Sequence, residues 1–304
     1  MSTTSSSSSS SSSFLWWTFL RDPAQRALSE YFHFWASRKG YGIKYGLLQP
    51  FLNDKINCQL LYVMVHPNPN LVLQSSAMMG SHQHRKNNNN NNNNINNNTT
   101  HPSPQILSLI HNHVMERYNF IGIVERMDES LAVMKLLWNL DYGDLIVLSA
   151  KQSGAYDDGR YNNTCYLIQP SGWNQQQDHE HEQNQSKRQG KLQKVYKHLD
   201  EYIASEYRAI NLDYLLYDIV NASLDRTIAL LGRDNVDRTE RQLRVLRKWV
   251  ESQCQREAIF PCSSNGTRQV EESSKNCYWY DSGCGFACVD RVLASYNIRA
   301  PGYM

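Results

Sequence analysis

The stretch Phe14 to Gly40, FLWWTFLRDPAQRALSEYFHFWASRKG, constrains the fold most. A short apolar run stops at Arg21, and Asp22-Pro23 follows. Asp22 suits a helix N-cap. Pro23 suits the first helical position, where no backbone N–H is needed. Ala24, Leu28, Tyr31 and Trp35 then recur at helical spacing and are expected to face a core. The stretch reads as strand, tight turn, helix. Arg21 falls at the strand's carboxyl end beside the helix start, where free N–H groups and the helix dipole favour an anion. Ser29, two turns on, supplies a hydroxyl donor. An anion site made by Arg21, Ser29 and the helix start is the expectation.

A second α/β signal lies downstream. Gln105 to Tyr118 has a helical face of Ile106, Leu109, Ile110, His113 and Val114. Phe120 to Val124 is then a short apolar run of the kind buried in a parallel sheet. Asp128-Glu129-Ser130 opens a helix with Leu131, Met134, Leu137 and Trp138 inward, and its acidic first turn matches the helix dipole. Glu125 stands at a strand's carboxyl end, where α/β enzymes place functional side chains. It reads either as a base or acceptor contact, or as a buried carboxylate tied to Arg126 or to backbone N–H groups. Asp128 reads as a helix cap. Asp144 to Ser149, DLIVLS, reads as another short strand.

The remaining chain is helix and polar tract. Lys44 to Leu52 suggests short helical pieces, and Leu60 to Val65 a strand or helix end. Residues 1–13 are a serine tract, expected to be disordered. Residues 74–104 hold eight consecutive asparagines and read as a disordered surface insertion, as does the Gln- and His-rich segment 170–190. Lys151 to Gly190 as a whole reads mostly as loop. Helices are expected from Lys194, over Asn211 to Leu231 with Gly232 as C-cap, and over Val236 to Arg256. The last carries Arg238, Arg241, Arg244, Arg247 and Lys248, either a solvated face paired with acids or a guide for an anionic glycan or nucleic acid.

Composition narrows the class. A net charge of +2 over 304 residues makes no case for nucleic acid. No run approaches the ~20 apolar residues of a membrane span. Five of the seven cysteines, Cys254, Cys262, Cys277, Cys284 and Cys288, lie in the last 51 residues. Their spacing favours disulfides in an oxidising compartment over a zinc site, with the pairing open. Six Asn-x-Ser/Thr sites agree with a secretory setting, Asn221 being the least credible because it falls inside a helix.

Two of these segments are similar to one family. Arg21-Asp22-Pro23 with Arg26, Ser29 and Tyr31 resembles the element by which sulfotransferases hold the 3′-phosphate of PAPS (3′-phosphoadenosine 5′-phosphosulfate). FIGIVERMDESLAVMKLLWNL resembles a segment of Golgi carbohydrate sulfotransferases acting on galactose or uronic acid residues, with Glu125, Asp128, Glu129 and Ser130 at matching positions. LDYLLYDIVNASLDRTIALLG is similar to a later helix of that family, and the tail around Cys284 and Cys288 to its closing segment.

The resemblance implies an α/β, P-loop-like sulfotransferase fold: a short parallel sheet flanked by helices over residues 14–304, incomplete at the N-terminus and carrying low-complexity insertions. It implies Arg21 and Ser29 as contacts to the 3′-phosphate, with Arg26 and Tyr31 structural. It also implies PAPS as sulfate donor with no metal, and a hydroxyl of a glycan or glycolipid as acceptor. The expected place is the Golgi lumen, as a type II membrane protein whose targeting segment is not in this sequence. The family's 5′-phosphosulfate loop with its lysine has no counterpart here, and no GxxxxGK-type loop occurs. The sequence therefore reads as the carboxy-terminal part of such a domain. The alternatives are a non-catalytic nucleotide- or glycan-binding protein of that fold, and an interaction protein driven by its Asn and Ser tracts.

Overall fold

The structure is a computed structural model that describes residues 15–38, 45–65, 103–146, 155–157, 165–167, 197–254, 257 and 286–295. The serine tract, the 170–190 segment and all of the 74–104 insertion except its last two residues lie outside these. Those two, Ser103 and Pro104, are the N-cap and first residue of a helix.

Strand β1 (Trp17–Leu20) pairs in parallel with β2 (Phe120–Ile123), Trp17 opposite Phe120 and Leu20 opposite Ile123. Gly122 stands opposite Phe19, and a Cβ there would lie 2.4 Å from the Phe19 ring, so the ring takes the space a side chain would fill. Helix α1 (Pro23–Glu30) follows β1 directly. Asp22 caps it by accepting from Gln25 N–H at 2.9 Å, and Pro23 sits in its first turn. This is the expected strand, turn and helix.

From Tyr31 to Arg38 the same helix widens to π geometry. Hydrogen bonds to the fifth residue rather than the fourth put more residues in each turn. The stripe therefore rotates: Ala24, Leu28 and Tyr31 are buried as expected, but Phe32 takes the next core position and Trp35 is 40 % exposed.

Helices α2 (Leu48–Asp54) and α3 (Cys58–Val65) come next, which resolves Leu60 to Val65 as helix. Helix α4 (Pro104–Ile110) continues as a π turn to Met115 and leads into β2. A 3-10 turn (Val124–Arg126) then enters α5 (Met127–Trp138), which buries Leu131, Ala132, Val133 and Met134 while leaving Leu137 exposed. The expected strand at Asp144 does not form. Asp141 and Asp144 cap each other's backbone and close a 3-10 turn, Tyr142–Leu145; residues 147–149 lie outside the described chain. Within the segment read as loop, β3 (Ala155–Asp157) and β4 (Cys165–Leu167) pair antiparallel.

Residues 197–202 are helical and lead through a π turn (Ile203–Tyr207) to α6 (Leu212–Leu231) and α7 (Arg233–Cys254). Gly232 joins these two at φ +86°, a conformation that favours glycine. Helix α8 (Phe286–Ser295) is fastened to the end of α7 by a Cys254–Cys288 disulfide. No described helix is long and apolar enough to cross a membrane.

The fold is thus mostly helical around a two-stranded parallel sheet, compatible with an α/β class. Two apolar clusters form the core. One surrounds the sheet with residues of α3 to α8, including Ile123, Val133, Leu216 and Leu243. The other is helical and aromatic, built from α1, α2 and the 199–207 segment, with Phe32, Leu52 and Tyr207. Helix α6 contributes Leu216 to the first and Tyr214 to the second.

Candidate anion-binding site

The parallel register brings Arg21 and Glu125 to the same edge, each just beyond its strand. Arg21 Nε approaches Glu125 Oε1 at 3.9 Å, both side chains 28 % exposed. Glu125 Oε1 also accepts from Asp22 N–H at 3.0 Å, and Oε2 accepts from the Tyr217 hydroxyl at 3.1 Å. Glu125 is therefore tied to a backbone N–H, one of its two structural expectations, but not to Arg126. Burial, with the neighbouring Glu125 charge, pushes the Tyr217 hydroxyl well up, so it stays a donor. Burial also raises the Asp22 carboxyl against the opposing Gln25 N–H, and Glu125 raises it further.

The backbone of Arg21 is held by one side chain. Gln59 Oε1 accepts from Arg21 N–H at 3.0 Å, and Gln59 Nε2 donates to the Arg21 carbonyl at 2.8 Å. Gln59 imitates a neighbouring strand for one residue. It is fixed in turn by Asp213, whose buried carboxylate accepts from Gln59 N–H and Leu60 N–H at 3.0 and 2.7 Å. Asn57, at φ +62°, donates its N–H to Asn211 Oδ1, and its own Oδ1 accepts from Leu212 N–H. The starts of α3 and α6 are thus latched together by neutral groups and one carboxylate. Burial lifts Asp213 to about 6 despite those N–H bonds.

Most of the helix start's N–H groups are already taken. Gln25 N–H is taken by the Asp22 side chain, Arg26 N–H by the Asp22 carbonyl, and Pro23 has none. This corrects the expected role of the α1 dipole, since its first turn is already capped by an anion of its own. Anion capacity at this edge rests on side chains. The Arg21 guanidinium supplies it: its Nε is buried without a hydrogen-bond partner, and among the described residues Glu125 is its one ionic neighbour. Ser29 is half-buried two turns up α1 and already has interactions of its own. At ~1.5 Å per residue it stands roughly 10 Å along the axis from the cap. The Arg21 side chain itself lies toward Glu125.

Arg26 pairs with Glu30 at 3.1 Å, and Lys55 also reaches Glu30. Tyr31 is buried edge-on against Phe32 and Phe51.

The end of β2 is finished differently. Asp128 is not a cap. It lies in the first turn of α5 and accepts from Arg247 Nη2 at 3.0 Å and Arg244 Nε at 3.3 Å. Burial would raise its carboxyl, but these two arginines outweigh it and hold it below the usual range. Glu129 is likewise held low against burial by Arg126 and Arg233. Arg126 further reaches Asp225 and Asn221, both at 2.7 Å. Ser130 Oγ accepts from Ile123 N–H at 3.0 Å and donates to the Ile123 carbonyl. Each polar residue of the Asp-Glu-Ser motif thus pins the β2–α5 corner to itself or to α6 and α7. The arginines of α7 divide accordingly: Arg247, only 14 % exposed, and Arg244 are committed to Asp128.

Sequence reasoning missed Tyr217, Gln59 and Asp213. The Asp213 signal was local, an Asn-x-Asp start to a helix; the other two show no local mark. The chain matches no protein-family model, no curated protein and no solved structure.

Proposed function

We propose that this chain carries the 3′-phosphate clamp of a PAPS-dependent sulfotransferase that delivers sulfate to a hydroxyl of a glycan or glycoconjugate, in the Golgi lumen. One observation carries the reading. The two segments that resemble sulfotransferases, about a hundred residues apart, form neighbouring parallel strands whose carboxyl ends put Arg21 beside Glu125. Ligands of open α/β sheets bind outside the carboxyl ends of their strands.

In this reading Arg21 gives a planar, permanently charged fork suited to phosphate oxygens. Ser29 adds a hydroxyl donor. Gln59 holds both backbone groups of Arg21, so the clamp's backbone is fixed. The sulfate donor supplies the activated sulfuryl group. These residues bind and orient its 3′ end and take no part in transfer.

The test is calorimetric titration of the chain with PAP, the donor lacking its sulfuryl group. Arg21→Ala is expected to weaken PAP binding at least tenfold and Ser29→Ala several-fold. Binding that neither substitution weakens refutes the assigned clamp.

A further inference from the structure

We propose that Glu125 is a built-in counter-anion of the Arg21 site, a carboxylate that occupies the guanidinium's neighbourhood and must be outbid by an incoming phosphate. The proposal rests on the phosphate-clamp reading and adds a residue that sets how tightly that site binds.

The geometry separates this role from two simpler ones. As a base, Glu125 would need a lone pair turned to an acceptor, yet Oε1 already accepts from Asp22 N–H and Oε2 from the Tyr217 hydroxyl. As a plain strut, it would have no reason to face Arg21. It does face Arg21, at 3.9 Å, while Arg126, the next residue in sequence, turns away to Glu129 and Asp225. The 3.9 Å separation and the unpartnered Nε describe a charge contact without a committed hydrogen bond. Such a contact balances the arginine electrostatically but leaves its donors available. The Arg126 pair at the neighbouring corner shows the committed alternative, its guanidinium bonded to Glu129 at 2.6 Å and to Asn221 at 2.7 Å.

A phosphate bound at Arg21 comes within a few ångströms of the Glu125 carboxylate. Like charges at that range repel appreciably even in a well-solvated site. Glu125 therefore lowers phosphate affinity, and the Tyr217 hydroxyl, pointing its proton at Oε2, partly offsets that repulsion.

The experiment is calorimetry with PAP on the wild type, Glu125→Gln, Tyr217→Phe, Arg21→Ala and Arg21→Ala/Glu125→Gln, folding being checked by thermal unfolding. Glu125→Gln is expected to tighten PAP binding roughly tenfold. The gain is expected to vanish in the Arg21→Ala background. Tyr217→Phe, which exposes the carboxylate's charge, is expected to weaken binding two- to threefold.

Opposite directions for these two variants support the counter-anion, because a strut would respond in the same direction to both. If Glu125→Gln does not fold, Glu125→Ala takes its place: tighter binding than wild type supports the proposal, and equal or weaker binding overturns it. Wild type that binds PAP through Arg21, with Glu125→Gln no tighter, overturns this inference and leaves the clamp standing. Binding seen only in Glu125→Gln supports it. Absence of PAP binding in every folded variant overturns both.

Discussion

The ends of β1 and β2 lie side by side, yet they are secured by opposite chemistry. The β2 corner is secured by charge: Asp128, Glu129, Arg126, Arg233, Arg244 and Arg247 form ion pairs that bind α5 to α6 and α7. The β1 corner is secured by amides and backbone groups, namely Gln59 on Arg21, Asn57 against Asn211, and Asp213 on two N–H groups. At the β2 corner Arg126, Arg244 and Arg247 are engaged in hydrogen-bonded ion pairs, whereas at the β1 corner Arg21 makes one loose ionic contact, to Glu125.

The comparison can be broken at its strongest point first. Asp213→Ala leaves two buried backbone donors without an acceptor and releases Gln59 from Arg21. A loss of about 3 kcal/mol in urea unfolding is expected. A loss under 1 kcal/mol would mean the Asp213–Gln59 latch does not hold β1.

Asp128→Ala strands the largely buried Arg247 and is expected to cost about 2 kcal/mol. Replacing Arg247 by Met in the same chain should recover part of that loss. High salt should weaken the wild-type β2 corner and leave the β1 latch untouched.

The two corners also differ in sign with pH. Asp128 and Glu129 are held below their ordinary values. Their stabilisation is present above about pH 4 and is lost as pH falls through the lowered folded values. Asp213 is raised to about 6, so its protonated form is favoured on folding and stability falls as pH rises from about 4 towards 6. Unfolding free energies measured from pH 3 to 7 should show both slopes, with Asp128→Asn reducing only the acid-side loss.

The smallest expected effect is on the residue of greatest interest. Arg21→Ala should change stability by less than about 0.5 kcal/mol, because its one ionic contact is loose and partly exposed. The same variant is expected to lose PAP affinity. A large loss of stability instead would make Arg21 a structural residue like Arg126.

Local pattern made much of the frame legible. Asp22-Pro23 marks a cap and first turn by its own chemistry, and the run to Ile123 reads as a buried strand by apolar content. Trp35 was misplaced because periodicity assumes one helical pitch, and the π turn from Tyr31 changes it. Asp144 to Ile146 was misread as strand because an apolar run outweighed a reciprocal Asp141–Asp144 cap. The site was legible only in part. Arg21 and Ser29 share one local motif, but Glu125 meets Asp22 across 103 residues and Asn57 meets Asn211 across 154. Only the fold creates such pairs, and no spacing rule reaches that far.

Gln59 carries one more consequence. Residues along an extended strand turn their N–H and C=O to alternate edges, and Trp16 turns its carbonyl to Asn119 and Phe120 at the head of β2. Trp17, Phe19 and Arg21 therefore address the opposite edge, and at Arg21 a side-chain amide already occupies both groups. Gln59 acts as a terminator for templated growth. An extended peptide from another molecule, zipping along the outer edge of β1, would run out of free backbone before reaching Arg21. The same contact that aims the arginine also guards the sheet against aggregation at its most exposed strand.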